Sequence, residues 1–204
     1  DYQNENNEII NLHITNYFYQ TGNLSKARSI ASSYKKLNDD KSTFYDFIEL
    51  NYLLSTFQLE KACNFKDQID EDINAKNNLL DKIEIFCLII QNKISEAQLL
   101  NSIMIETEVN TDENFQDLFL FLNNTPNSNS VDQYNFPQEL NMDLIFLYSA
   151  MARIAELPLN DKFLEIDPLN MAIPIILNTS SPINLRIKAA NHSFINQNIS
   201  VDSL

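Results

Sequence analysis

The chain has 204 residues, 44% of them hydrophobic, so it can bury a substantial core as one domain or one extended array. A single glycine excludes glycine-rich phosphate loops, glycine-dependent hairpins and most all-β designs, which leaves an all-α protein. With 28 acidic against 14 basic residues the net charge is −14, which opposes nucleic acid and offers no cationic patch to anionic lipid.

No run of about 18 apolar residues is present, so no membrane insertion is expected. Asp1, Tyr2, Gln3, Asn4 and Glu5 do not resemble a signal peptide, since an initiator Met, a basic n-region and an apolar h-region are all lacking. The expectation is that a leader has been removed or that the chain is a piece of a longer protein. Ser200 suits the cap of a new helix with 201–204 as its first turn, in keeping with a truncated C-terminus.

In chain order, 8–20 has helical periodicity, 21–23 is a turn and 24–37 is a second helix with Asn23 as N-cap. Self-comparison aligns Ala27, Ala62 and Ala97 at a constant spacing of 35. The same period carries Leu24/Leu59/Ile94, Phe18/Leu53/Leu88, Ile30/Phe65/Leu100, Tyr34/Ile69/Met104 and Tyr17/Tyr52/Cys87. A small residue at the shared column lets antiparallel helices approach closely, and the large columns fill the space within and between hairpins.

The period lapses after the third copy, where the next register position is Asp132. Thr111 is expected to cap a closing helix over 112–122, with acids in its first turn. Residues 123–137 read as a polar linker, and 140–157 as an apolar helix ended by Pro158. Asp167 and Pro168 read as N-cap and first residue of a helix to 177, which Pro174 is expected to kink or break. Ser181 and Pro182 open a last helix over 183–196. The organisation is therefore repeats over 8–107, a closing helix in 108–122, a linker over 123–137 and a C-terminal helical region over 138–204.

Phe18, Gly22, Leu24 and Ala27 stand where the tetratricopeptide repeat has its aromatic, its turn glycine, a large residue and its packing alanine, so 8–107 resembles that family. The first-helix Trp and the Leu-Gly pair are absent, and Gly22 becomes Phe57 and Asn92 in the later copies. The resemblance implies an α-solenoid of three helical hairpins. A 35-residue period also suits the pentatricopeptide RNA binders, but the net charge argues against RNA.

Candidate chemistry is sparse. Cys63 and Cys87 fall on adjacent antiparallel helices at about the same height, at ~1.5 Å rise per residue, so a bridge and two buried thiols are both open readings. His13 and His192 have no ligand spacing that would join them to a zinc site. Asp67, Asp70, Glu71 and Asp72 form a loop cluster, more simply read as a solvated charge run. No catalytic residues, metal site or cofactor are expected.

In tetratricopeptide arrays the first helix of each hairpin lines the concave surface. By register, this resemblance assigns a groove to Leu12, Asn16, Tyr19, Phe47, Asn51, Leu54, Lys82, Phe86 and Ile89. Asn16 and Asn51 share a column that resembles the family's carboxylate-clamp asparagine, but Leu12 and Phe47 replace the accompanying lysines. The groove so assigned is apolar and suits an amphipathic or extended hydrophobic peptide, unless the C-terminal helices fold back and fill it.

The function expected is a non-catalytic interaction scaffold or assembly factor for a protein or peptide partner, basic or amphipathic. The alternative is the helical superhelix of a cell-wall lytic transglycosylase whose catalytic domain lies outside this chain. Over the whole chain, the stretches around Cys63, Cys87, 163–173 and 181–190 resemble long exported bacterial helical-repeat proteins. That resemblance implies a periplasmic or otherwise exported protein with a Cys63–Cys87 bridge; a cytoplasmic protein is the alternative.

Overall fold

The computed structural model describes residues 2–35, 42–69, 78–107, 112–123, 136, 140, 141 and 143–195, and every element among them is a helix. Helices α1 (Tyr2–Gln20), α2 (Leu24–Lys35), α3 (Ser42–Ser55), α4 (Leu59–Lys66), α5 (Leu79–Ile90) and α6 (Ile94–Thr107) follow in order, and each packs against the next.

Three of the connections are alike. Gly22, Phe57 and Asn92 sit one in each, with φ of 76°, 58° and 61°. Their N–H groups donate to Tyr19, Leu54 and Ile89, three residues back. The next N–H groups, of Asn23, Gln58 and Lys93, donate to Phe18, Leu53 and Leu88, five residues back. This left-handed helix end satisfies carbonyls that the preceding helix would otherwise leave open. Directly after it, Ala27, Ala62 and Ala97 are each at most 1% exposed, so their small side chains permit close helix approach. Asn23 caps α2 as expected, its Oδ1 accepting from Lys26 N at 3.2 Å.

These helices differ in length. Helix α4 has 8 residues where α2 has 12 and α6 has 14. Cys63 on α4 and Cys87 on α5 bring their sulfurs to bonding distance, 1.95 Å, with Cα atoms 5.7 Å apart.

The later elements are α7 (Glu113–Asn123), α8 (Ile145–Ile154), α9 (Asp161–Ile166), α10 (Pro168–Leu177) and α11 (Ile183–Ile195). Asp112 caps α7, its Oδ1 accepting from Phe115 N at 3.1 Å; Thr111 lies outside the described residues. The helix expected over 140–157 is shorter at both ends. Asn141 forms a turn that accepts from Asp143 N and Leu144 N, and Glu156 at φ 55° ends α8 two residues before Pro158. Sequence reading missed α9, which Asn160 caps by accepting from Lys162 N.

Asp167 and Pro168 begin α10 as expected, but Pro174 does not split it, and the helix runs without a break to Leu177. A proline removes one intrahelical hydrogen bond and crowds the carbonyl four residues back, a cost offset here by the packing of α10 against both α9 and α11. Of the segment expected as a linker, Asn123 belongs to α7, and Phe136 is buried with its ring 4.8 Å from that of Phe163. The remainder of that segment lies outside the described residues, as do Asp70, Glu71, Asp72 and Ser200. No described helix is long and apolar enough to cross a membrane.

Candidate functional site

The nine groove residues expected from the register fall on α1, α3 and α5, and the later helices cover much of that face. Helix α8 packs on α3, and α7 packs on α5. The ring of Tyr19 lies 5.7 Å from that of Phe47 and 6.0 Å from that of Phe146 on α8. Burial, with Asp143 adding a negative charge nearby, pushes the Tyr19 phenol well above its ordinary pKa. Asn51 is 1% exposed and donates to the Tyr19 hydroxyl at 3.2 Å. Leu54 and Phe86 are wholly buried, while Leu12, Asn16, Phe47 and Ile89 are half-buried.

Helix α8, which lies over α3, is apolar apart from Tyr148, Ser149 and Arg153. All eight residues 145–152 are buried, which an amphipathic surface helix would not show.

Lys82 is enclosed by the same arrangement. Its ammonium lies 3.2 Å from Asp112 Oδ2 and 5.9 Å from the centre of the Phe115 ring. Tyr148 on α8 donates its hydroxyl to the same Asp112 oxygen at 2.8 Å. One carboxylate thus caps α7, pairs with α5 and is held by α8. A buried charge is tolerated when paired and hydrogen-bonded in this way.

An open concavity lies elsewhere, at the junction of the α3–α4 turn, the end of α8, and α10 with the turn that follows it. This cleft has a volume of ≈ 700 Å³. Leu169, Ile173 and Leu177 line it at successive turns of α10, and Asn170, Asn178, Thr179 and Ser180 supply polar groups. Phe57 and Glu156, both left-handed, also line it.

Arg153 belongs to the same lining. Its Nη1 donates to the carbonyl of Ser55 at 3.0 Å, and its guanidinium carbon stands 4.0 Å over the Phe57 ring. Burial holds its pKa down to about 10, against the opposing pull of Asp167. Behind it Asp167, 1% exposed, accepts hydrogen bonds from the Ser55 hydroxyl and from the backbone and side chain of Asn170. Burial raises the Asp167 pKa, and those hydrogen bonds and Arg153 act in the opposite sense.

Sequence reading did not single out Arg153, although it is the only charged residue in α8, a visible signal in so apolar a helix. His13 and His192 are exposed, on α1 and α11, and among the described residues no group of three or more His, Cys, Asp and Glu side chains gathers. Asp67 pairs with Lys66 at 2.8 Å. No family profile, curated protein or solved structure matches this chain.

Proposed function

We propose that the chain is a non-catalytic interaction scaffold, a divergent tetratricopeptide-like array of three 35-residue hairpins that binds a protein or peptide partner. The observation that carries this reading is the set of three like turns, with Gly22, Phe57 and Asn92 left-handed at one spacing and the same pair of hydrogen bonds in each. Repeat arrays of this kind present extended surfaces to partners.

Because α8 and α7 lie against the face that register assigns to a groove, the partner-binding surface in this reading is the cleft beside Arg153. An exported location in an oxidising compartment is part of the proposal, and the Cys63–Cys87 pair at bonding distance supports it.

Selection of a peptide-display library on the intact chain tests the scaffold. We expect enrichment of peptides with a shared sequence that also bind the chain as isolated peptides. Repeated rounds without a shared sequence would reject it.

A further inference from the structure

Helix α1 carries an apolar stripe open to solvent. Ile10, Ile14 and Tyr17 follow one another at helical spacing and are 54%, 39% and 62% exposed. The 35-residue register of the proposed array, on which this inference rests, relates the stripe to two faces whose contacts are known. One period on, Tyr45, Glu49 and Tyr52 of α3 face α2. Tyr45 is buried with Ala27 and Ala31, Arg28 donates to the Glu49 carboxylate, and the Arg28 guanidinium stands 4.4 Å over the Tyr52 ring.

Two periods on, Glu84 and Cys87 of α5 face α4, where Lys66 pairs with Glu84 and Cys63 meets Cys87 at bonding distance. In α3 and α5 this stripe is where the preceding helix lies. On α1 it has no described helix against it, and Ile14 stands in the column of the two acids. An array end that faces water carries a polar outer face; a stripe of two isoleucines and a tyrosine is a surface suited to being covered.

A complementary face lies on α11. Leu185, Ala189 and Ser193 are its buried side. Ile183, Ile187 and Phe194 are exposed in a second stripe, with half-buried Ala190 between the last two. A small residue there leaves room for close helix approach, as Ala27 and Ala31 do where α2 meets α3.

Charge selects the pairing. Helix α11 holds Arg186, Lys188 and His192 and no acid, in a chain of net charge −14. Lys188 is half-exposed, although it stands 3.6 Å from Asp161. Helix α1 holds two glutamates and no lysine or arginine. Two copies of α1, or two of α11, would set like charges together, whereas α1 against α11 sets opposite ones.

We propose that the chain associates with a second copy of itself, the Ile10, Ile14 and Tyr17 stripe of α1 packing against the Ile183, Ile187 and Phe194 stripe of α11 in the other copy. The contact is heterologous, so each copy carries one face of each kind.

The test is sedimentation velocity of the intact chain from about 10 μM to about 1 mM. We expect the sedimentation coefficient to rise with concentration. Tyr17→Glu and Ile187→Glu, both at exposed positions, should each weaken association about tenfold or more while the circular dichroism spectrum is kept. An equimolar mixture of the two should associate again as a one-to-one pair, since one variant keeps its α11 face and the other its α1 face. Should either variant lose its helical spectrum, Ile10→Glu or Ile183→Glu makes the same test on the same stripe.

A monomer over the whole range, association untouched by either variant, or a mixture that stays monomeric would each overturn the proposal. Ile187→Glu associating like the unmodified chain while Tyr17→Glu does not would also overturn it, because α1 would then be meeting its own copy. Display-library selection does not depend on this contact. A shared sequence from the library alongside a monomeric chain leaves the scaffold standing without the self-contact, and failure of both removes both.

Discussion

The hydroxyl of Ser55, the last residue of α3, donates to the buried carboxylate of Asp167, 112 residues further along the chain. Arg153 closes the same junction by donating to the Ser55 carbonyl. The C-terminal segment is therefore joined to the C-terminal end of α3, just before Phe57 turns the chain. Gly22 lies at the same junction: a Cβ built there would stand 2.2 Å from the carbonyl oxygen of Ile166.

Gly22 therefore meets two demands, a left-handed φ and an empty space. Gly22→Ala is expected to lose more stability than the ~1–2 kcal/mol of the left-handed conformation alone. Asn92→Ala, at an exposed turn with φ 61°, is expected to lose about 1 kcal/mol or less. Urea denaturation of the two variants measures the difference, and equal losses would remove the role assigned to Ile166.

Cys63 and Cys87 are 24 residues apart in sequence. Joining them closes a loop that stabilises the fold by about 3 kcal/mol in the chain-entropy account. Reduction is expected to add two hydrogens to the intact mass, and the double variant Cys63→Ala/Cys87→Ala to lose stability of that order. An unchanged mass on reduction would contradict the bridge.

Lys82→Ala would leave Asp112 without its cation beside the core and is expected to cost about 3–5 kcal/mol. Lys82→Met, which keeps the packing of the stem, is expected to cost less. Denaturation curves in which both variants lose under ~1 kcal/mol would mean that the Lys82–Asp112–Tyr148 arrangement does not hold α7 and α8 to α5.

The pH dependence follows from Asp167. Its pKa is raised in the folded chain by burial, so its contribution is favourable at low pH and is lost as pH rises through the raised value. Stability of the native chain relative to Asp167→Asn is expected to increase on acidification from neutrality towards the ordinary carboxylate range. A trend in the opposite direction would show that the hydrogen bonds from Ser55 and Asn170 outweigh burial.

The helix starts were legible because their signals are local. The Asn23 cap and the Asp167–Pro168 helix start each depend on neighbours within a few residues, and each appears where the sequence places it. The cover over α3 and α5 was not legible as an outcome, because whether an apolar helix such as α8 fills a groove or borders it depends on contacts distant in sequence. The Ser55–Asp167–Arg153 junction escaped for the same reason. Helix α9 was missed although Asn160 and Asp161 mark its start, six residues being too few for a periodic pattern to register.

The relationship of Tyr19 to Phe146 tests most directly whether the C-terminal segment occupies the face assigned to partners. In a two-dimensional nuclear Overhauser spectrum of the intact chain, we expect cross-peaks between these two rings, whose centres lie 6.0 Å apart, and a Tyr19 phenol that resists ionisation through the ordinary tyrosine range. Absence of the cross-peaks, with Tyr19 titrating like a free tyrosine, would contradict a filled groove and return that face to the partner.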